Sequence, residues 1–250
     1  PSRQAKLRQV EEFLRLLDAS ITDALAKGHL RTPTADDPLR IVDLGCGNAY
    51  LTFTAHAHLT GDPAGGGRGL PVRMIGVDIK QQSANHNGEV ASRLGIDADF
   101  VVGSISDATL DTAPDVVLAL HACDTATDDA LARAVAWAVP LVLAAPCCHH
   151  DIAAQLRRSE APWPFAMVTR DGILRERFAD TLTDAVRALL LRQAGYRVEV
   201  MEFVDSQHTP RNTLLRAVRT GQRSTSEEYD DLVAQWGIEP RLGELLAQQA

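Results

Sequence analysis

The segment Ile41-Val42-Asp43-Leu44-Gly45-Cys46-Gly47-Asn48-Ala49 decides the fold of this chain. Its apolar first half is typical of a buried strand, and the Gly-x-Gly pair predicts a tight turn into a helix that begins near Tyr50. Glycine permits positive φ and lets a ligand approach the backbone closely. The segment therefore predicts a strand, a turn and a helix of an α/β protein, with a ligand site at the turn.

Two acids indicate which ligand the turn holds. In dinucleotide-binding enzymes such a turn contacts a pyrophosphate. Asp43 would repel a pyrophosphate, whereas its charge suits the cationic methionine end of S-adenosylmethionine (SAM). The next strand-like run, Arg73-Met74-Ile75-Gly76-Val77-Asp78, also ends in an acid, which is placed to accept both hydroxyls of an adenosine ribose. Together the two acids favour SAM over NAD.

A Gly-rich run at residues 61–69 separates the two acids further than usual. The interval from Asp43 to Asp78 is 35 residues, whereas ~20 is common in dinucleotide-binding folds. The run lacks the Lys-Ser/Thr ending of a phosphate-binding loop and does not open a helix. We therefore expect a flexible surface insertion.

Seven strand-like runs alternate with helical segments along the chain. This alternation predicts βαβ units and a mostly parallel sheet. Residues 205–210 are too few for a crossover helix between the last two runs, so the last strand is predicted to be antiparallel. We expect an α/β, Rossmann-like fold with a seven-stranded sheet and helices on both faces. The runs cover residues 40–44, 72–78, 98–103, 115–121, 139–145, 196–203 and 213–219.

The flanking segments are predicted to pack on this fold. Apolar residues recur at intervals of three and four over residues 5–26, which predicts an amphipathic helix, followed by a linker to residue 38. The main domain is predicted at residues 39–223. Residues 224–250 form an acidic tail that we expect to pack on it.

Composition is that of a globular protein with one sizeable core. Of 250 residues, 45% are hydrophobic and 23% are charged. No apolar run reaches about 18 residues and the N-terminus has no signal-type pattern, so we expect a soluble, cytoplasmic protein with reduced cysteines and no membrane partner. The net charge of −8 opposes a whole-surface grip on nucleic acid. Residues 151–223, however, hold 12 Arg against 9 Asp and Glu, which allows a local basic face.

The segments Val42–Gly47 and Gly76–Asp78 resemble motifs one and two of class I SAM-dependent methyltransferases, and the resemblance covers about residues 39–220. It implies that the first segment lines the methionine end of SAM, that Asp78 binds the ribose and that Ser104 or Ile105 contacts the adenine. Two positions depart from the pattern: Ala49 replaces a common third Gly, and residue 104 is not an acid. The complete set of candidate cofactor residues is Asp43, Gly45, Cys46, Gly47, Asn48, Asp78, Ile79, Ser104, Ile105 and His121.

The ends of the fourth and fifth strand-like runs carry an unusual set of Cys, His and Asp residues. Residues 120–128 (Leu-His-Ala-Cys-Asp-Thr-Ala-Thr-Asp) and 145–150 (Ala-Pro-Cys-Cys-His-His) resemble segments of the tRNA 2′-O-ribose methyltransferases with a CCHH motif and of a wider methyltransferase-domain family. The zinc-finger modules of the tRNA enzymes are absent from this chain. The matching positions are His121, Cys123, Asp124, Thr127, Asp128, Cys147, Cys148, His149 and His150. Of these, the candidates for catalysis are His121, Cys123, Asp124, Cys147, Cys148 and His149.

Methyl transfer needs alignment of the acceptor and removal of its proton, because SAM already carries a good leaving group. A histidine near neutral pKa suits that role, and His121 and His149 are preferred by position over His150. For any one His, a structural hydrogen bond is an equal alternative. Zinc is less favoured, because four consecutive residues do not readily surround a tetrahedral ion. A third interpretation uses Cys123 or Cys147 as a nucleophile toward a base carbon.

The acceptor is predicted from the segment after the fifth strand. Arginines mixed with aromatic residues suit an RNA backbone and an exposed base, although arginines on helices are also commonly just solvated. An RNA methyltransferase is the leading hypothesis. A small-molecule methyltransferase and a noncatalytic SAM-binding interaction module are the alternatives. The residues concerned are Arg157, Arg158, Trp163, Phe165, Arg170, Arg175 and Arg177, with Arg211 and Asn212 as further candidates.

Overall fold

The computed structural model describes residues 3–120, 122–146, 149–203 and 212–249. Within them, seven strands form one sheet in the order β3-β2-β1-β4-β5-β7-β6. Strands β1 to β5 are parallel, and β7 is antiparallel to both of its neighbours. The predicted Rossmann-like fold with an antiparallel last strand is confirmed. The strands are β1 (Leu39–Leu44), β2 (Val72–Asp78), β3 (Ala98–Val102), β4 (Val116–Ala119), β5 (Leu141–Ala144), β6 (Tyr196–Glu202) and β7 (Thr213–Arg219).

Helices cover both faces of this sheet. Because β1, β4 and β5 are covered on both sides, their sequences read as continuous apolar runs with little alternation. The helices are α1 (Arg3–Ala26), α2 (Tyr50–Thr60), α3 (Gln81–Leu94), α4 (Thr125–Ala136), α5 (His150–Arg158), α6 (Ala166–Arg170), α7 (Gly172–Gln193), α8 (Glu227–Trp236) and α9 (Arg241–Ala247). One apolar core lies between the sheet and α4, α5 and α7, and a second lies between the sheet, α1 and α2. No helix of the described ranges combines the length and the apolar composition that crossing a bilayer requires.

A buried arginine of β7, next to the edge strand β6, connects the first helix to the sheet. Arg216 of β7 is 8% exposed and donates hydrogen bonds to Ser20 Oγ at 3.0 Å and to Asp23 Oδ2 at 2.7 Å. Its third partner is Glu199 Oε2 at 2.7 Å. The apolar stripe of α1, which includes the fully buried Phe13, packs into the second core.

The Gly-rich run is a compact turn between α2 and β2. Asp62 caps a short 3₁₀ turn at Pro63–Gly65, and the Gly67 and Gly69 amides donate back to Asp62 O and Gly61 O. Gly67 lies so close to the Gly61 backbone that a Cβ would not fit between them. Composition alone predicted a flexible surface insertion. The structure shows a loop that folds on itself, which the close approach of Gly61 and Gly67 permits.

The tail packs against α4 and α7 through its two helices. Trp236 is 6% exposed, and its ring lies 4.6 Å from Phe178 and 6.0 Å from Phe165, measured between centroids. The side chain of Gln155 on α5 bonds both backbone groups of Glu239. These contacts hold the tail beside α5 and α7.

Candidate active site

The turn after β1 adopts the backbone conformation that its glycines permit. Gly45 has φ 80° and Gly47 has φ 53°. The amides of Gly45 and Cys46 both donate to Val77 O, at 2.8 and 3.1 Å, which ties the turn to β2. Ala49 also has positive φ, 54°, at the N-cap of α2. The third glycine common in the resembling family is therefore replaced by an alanine that keeps the left-handed conformation, which an L residue adopts only with strain.

Asp43 is a buried acid at the end of β1. It is 3% exposed, and Thr52 Oγ1 donates a hydrogen bond of 2.6 Å to its Oδ2. Burial raises the pKa of Asp43 to about 6, the charge of Asp78 adds to the increase, and the Thr52 bond opposes it. Because burial makes ionisation of this carboxyl group unfavourable, a cationic ligand group beside it would stabilise the charged form.

Asp78 and Asn87 hold the Gly47 peptide from its two sides. Asp78 Oδ2 accepts the Gly47 N–H at 2.9 Å, and Asn87 Nδ2 donates to Gly47 O at 2.8 Å. The other Asp78 oxygen accepts the Lys80 N–H at 2.9 Å. Each carboxylate oxygen therefore keeps acceptor capacity for a ribose hydroxyl. Asn87 was missed by the sequence analysis; its only sequence signal is an amide among alanines on the inner face of α3.

The side of the site assigned to adenine presents two isoleucines and a serine. Ile79 is 72% exposed directly after Asp78, and Ile105 lies in van der Waals reach of Gly45. An acid lies three residues after position 104, where Asp107 Oδ2 accepts a hydrogen bond of 2.6 Å from Ser104 Oγ. The exposed Ile79, the half-buried Ile105 and a nearby hydroxyl and carboxylate suit the faces and edge of an adenine ring.

Cys46 and Asn48 play different parts in the turn. Burial raises the pKa of the Cys46 thiol well above its usual range, and the charges of Asp43 and Asp78 add to this. Its sulfur packs against Gly76, where a Cβ would lie 2.9 Å from it. Asn48 is exposed at the turn's outer surface. Cys46 is thus a packing residue, whereas Asn48 is open to solvent.

The loop after β4 contains a strained residue. Asp124 has φ 53° and ψ −126°, a region that favours glycine. Its Oδ1 accepts the Asp151 N–H at 3.1 Å, and its carbonyl accepts the Thr127 N–H at 3.1 Å and Arg187 Nη2 at 2.9 Å. Cys123, which precedes it, is exposed. The loop is therefore held in an unfavourable conformation by partners on α4, α5 and α7.

A chain of buried charges runs from α4 through α7 to the start of α5. Arg187 is 1% exposed and makes two parallel hydrogen bonds of 2.8 Å to the carboxylate of Asp128. Its Nη1 lies 3.4 Å from Asp184 Oδ1, and the same oxygen lies 2.9 Å from His149 Nε2. His149 Nδ1 forms an ion pair with Asp180 at 3.0 Å.

This arrangement favours the protonated form of His149. It is 3% exposed; burial alone would lower its pKa, but the carboxylates of Asp180 and Asp184 outweigh burial and raise the pKa above its ordinary value. A general base needs a ring nitrogen with a free lone pair facing the acceptor. Both nitrogens of His149 face carboxylates of α7. His150 is exposed, and its ring lies 3.9 Å from Glu176.

Four of the sequence-predicted residues lie outside the described residues, namely His121, Cys147, Cys148 and Arg211. Among the residues that are described, no three His, Cys, Asp or Glu side chains converge in a way that would hold a metal ion.

Comparison with known protein families identifies the family to which this chain belongs. A family model described as a methyltransferase domain matches residues 5–155. The chain belongs to this methyltransferase family. Its enzyme class is that of SAM-dependent methyltransferases, and its cofactor is SAM. No curated protein sequence matches the chain.

Solved structures similar to this methyltransferase include several enzymes at low identity. Monomeric WbdD is 18% identical with a TM-score of 0.47, over 83% of this chain and 41% of that one. Magnesium protoporphyrin IX methyltransferase (ChlM) from Synechocystis PCC 6803, with bound SAM, is 14% identical with a TM-score of 0.45, over 88% and 86%. A candidate rRNA methylase from Clostridium thermocellum is 12% identical with a TM-score of 0.45, over 80% and 97%.

The residues of the methyltransferase turn fit the chemistry of SAM. Asp43 offers a buried acceptor for the methionine ammonium, Asp78 offers two oxygens for the ribose diol, and Ile79 offers an apolar surface to adenine. The structure thus brings together the predicted cofactor residues of the first two strand ends. It adds Asn87 to them and joins Asp124 and His149 through Arg187, which sequence reasoning also missed.

Proposed function

We propose that this methyltransferase modifies RNA and that its acceptor atom is a ribose 2′-oxygen. The observation that carries the proposal is a surface formed by residues 157–177, which we call the arm. It includes the end of α5, all of α6 and the first turn of α7.

The arm exposes large apolar side chains together with arginines. Trp163 is 90% exposed, Met167 59% and Ile173 62%. Contiguous exposed apolar surface on a soluble domain marks an interaction site. Arg157, Arg158, Arg170 and Arg177 are exposed among these side chains. Arginines beside an exposed indole are suited to phosphate contacts and base stacking in single-stranded RNA.

The position of the arm supports a role in acceptor binding. β6 runs in the same direction as β5, and α7 leads directly into β6, so the N-terminus of α7 points toward the carboxyl ends of the parallel strands. His149 follows β5 and contacts Asp180 and Asp184. Residues 172–179 precede Asp180 on α7. At 1.5 Å per residue they extend the helix about 12 Å beyond the level of His149. The arm stands beside the crevice where open α/β sheets bind their ligands.

The proton of the acceptor hydroxyl has to leave as the methyl group arrives. When bound, SAM would supply the activated methyl group for the ribose oxygen, with S-adenosylhomocysteine as the leaving group. We assign the base to His121, which follows Leu120 in the sequence, because carboxylates of α7 lie 3.0 and 2.9 Å from the two nitrogens of His149. His149 then acts as a positioning residue at the start of α5.

The test is methyl transfer from labelled SAM to unmodified RNA transcripts, with an extract of small metabolites assayed in parallel. Digestion of the labelled RNA to nucleosides identifies 2′-O-methylation. We expect label in RNA. Label in the metabolites alone would identify a small-molecule methyltransferase, and a protein that binds SAM but labels neither pool would be an interaction module.

Charge reversal on the arm tests the surface. Arg158→Glu and Trp163→Ala should each weaken RNA binding about tenfold, as measured by oligonucleotide fluorescence anisotropy, with SAM affinity unchanged. Arg197→Glu is the matched control, because Arg197 is exposed at the start of β6, away from the arm. Equal losses in the control would mean that only net charge matters.

A further inference from the structure

We propose that Arg187 is a positioning residue that couples the Asp124 loop after β4 to His149 after β5, so that the two sides of the acceptor site keep one relative geometry. Nothing in the sequence motifs or the family match points to Arg187. The inference goes beyond the cofactor site, and only its activity measurement rests on the proposed RNA acceptor.

The first half of the coupling is the grip of Arg187 on the β4 side. Two 2.8 Å hydrogen bonds to Asp128 fix the plane of its guanidinium. In this orientation Nη2 donates a hydrogen bond of 2.9 Å to the Asp124 carbonyl. The backbone of Asp124 is in a conformation that a non-glycine residue does not keep by itself. The guanidinium therefore helps to hold the strained loop that contains Cys123.

The second half is the link to the β5 side. Asp184 Oδ1 is shared by Arg187 Nη1 and His149 Nε2, at 3.4 and 2.9 Å. Arg187 is 1% exposed, His149 3% and Asp184 6%. Acidic and basic side chains alternate along this series of contacts, from Asp128 to Arg187, Asp184 and His149. Burial strengthens each interaction, and a shift at one end leaves an uncompensated charge in the middle.

A further contact joins the loop after β4 to the start of α5 without Arg187, so that the contacts form a closed circuit. Asp124 Oδ1 accepts the Asp151 N–H in the first turn of α5, one residue after His150. The loop after β4 and the start of α5 thus meet directly on one side and through Arg187 on the other. Because β4 and β5 are neighbouring parallel strands, this circuit spans the part of the crevice that faces the transferable methyl group.

The test compares Arg187→Lys with Arg216→Lys. Lysine keeps the charge but replaces a rigid planar fork by a single ammonium, so it does not bond Asp128, Asp184 and the Asp124 carbonyl together. Arg216 is the matched control, because it is a buried arginine with two carboxylate partners on the opposite face of the sheet. Both variants should lower Tm.

Only Arg187→Lys should change the site. We expect faster hydrogen exchange in peptides covering residues 122–130 and 149–156, an unchanged KM for SAM within twofold, and a fall in kcat toward RNA transcripts of between about 10-fold and about 100-fold. Unchanged exchange in both peptides, or equal kcat losses in the two variants, would overturn the proposal. If wild-type protein labels no RNA, the proposed acceptor is wrong, and the exchange measurement still decides the coupling.

Asp184→Asn is the second variant and covers the case in which Arg187→Lys does not fold. It leaves the Asp128–Arg187 pair in place and removes the charge that links it to His149. We expect faster exchange in residues 149–156 with residues 122–130 still protected, and a lower kcat whose pH profile is shifted from that of the wild type. Hydrogen exchange and kcat equal to those of the wild type would show that Asp184 does not couple Arg187 to His149.

Discussion

The carboxylate of Asp78 accepts the amide of Gly47 at 2.9 Å, across 31 positions of sequence. This bond joins the acid at the end of β2 to the glycine turn at the end of β1 before any ligand is present. The residue assigned to the ribose therefore also sets the shape of the turn assigned to the methionine end. A substitution of Asp78 should therefore affect the binding of both the ribose and the methionine end of SAM.

Asp78→Ala should weaken SAM binding by about 1.5 to 3 kcal/mol, because it removes charge-assisted hydrogen bonds to the ribose and releases the Gly47 amide. Calorimetric titration with SAM and S-adenosylhomocysteine measures the change. Asp99→Ala is the control, since Asp99 is an exposed acid on β3 that pairs with Arg73. An Asp78 variant with wild-type affinity would show that SAM binds in another pose.

Asn87→Leu should weaken SAM binding about tenfold with little loss of stability. The leucine removes the donor to Gly47 O, a loss of about 1 kcal/mol. It also removes the Asn87 Oδ1 atom, which is buried without a hydrogen-bond partner, so the two effects on folding oppose each other. Urea unfolding and SAM titration separate stability from affinity. Asn85→Leu, on the exposed side of the same helix, should change neither.

SAM affinity should rise with pH through the titration of Asp43. The pKa of Asp43 is raised to about 6 in the SAM-free protein, so below that pH the cationic methionine end displaces a proton when it binds. The affinity should increase up to tenfold per pH unit below about pH 6 and level off above it. Titrations in buffers of different ionisation enthalpy count the released proton, and Asp43→Asn should give a flat, weak profile.

The same substitution should stabilise the SAM-free protein at neutral pH. The pKa of Asp43 is higher in the folded chain than its ordinary value of 3.8, so its contribution to stability is present below about pH 3.8 and is lost as the pH rises to about 6. Above that pH the buried charge opposes folding. Thermal unfolding at pH 7.5 should therefore give a higher Tm for Asp43→Asn than for the wild type; a lower Tm would mean that the carboxylate has a cationic partner in the protein.

His149 should stabilise the fold below its raised pKa. Burial lowers the pKa of His149, and Asp180 and Asp184 more than restore it. A raised folded-state pKa contributes stability that is full below about 6.5, the unfolded value, and is lost as pH rises through the folded value. The Tm difference between wild type and His149→Gln should thus shrink as the pH rises from 6 toward 9. Asp180, Asp184 and Arg187, all on α7, are the charged groups that face the ring.

The sequence predicted the sheet because its signals are local. The strand-like runs at 72–78 and 213–219 were reproduced to the residue, and the run at 40–44 to within one residue. The run at 115–121 was too long, because the described strand β4 ends at Ala119, while its apolar character continues to Leu120. Burial predicts apolar residues beyond the last ladder hydrogen bond as well as within the strand.

The roles of His149 and Arg187 were decided by tertiary structure. The motif around His149 indicated a site histidine, but both its partners come from α7, and Asp184 is 35 positions away. The sequence analysis did not single out Arg187, and its partner Asp128 lies 59 positions earlier. Among the described residues, Arg187 is the largest fully buried side chain. Nothing local in either segment distinguishes a solvated charge from a paired one.

The sequence by itself determined the Rossmann-like sheet, the SAM turn and the two acids at its strand ends, because strand periodicity, glycine at positive φ and an acid at a strand end are properties of adjacent residues. Only the tertiary structure decided which charges are buried together. Their energies depend on dielectric surroundings and on partners brought from distant helices, and the linear pattern contains neither.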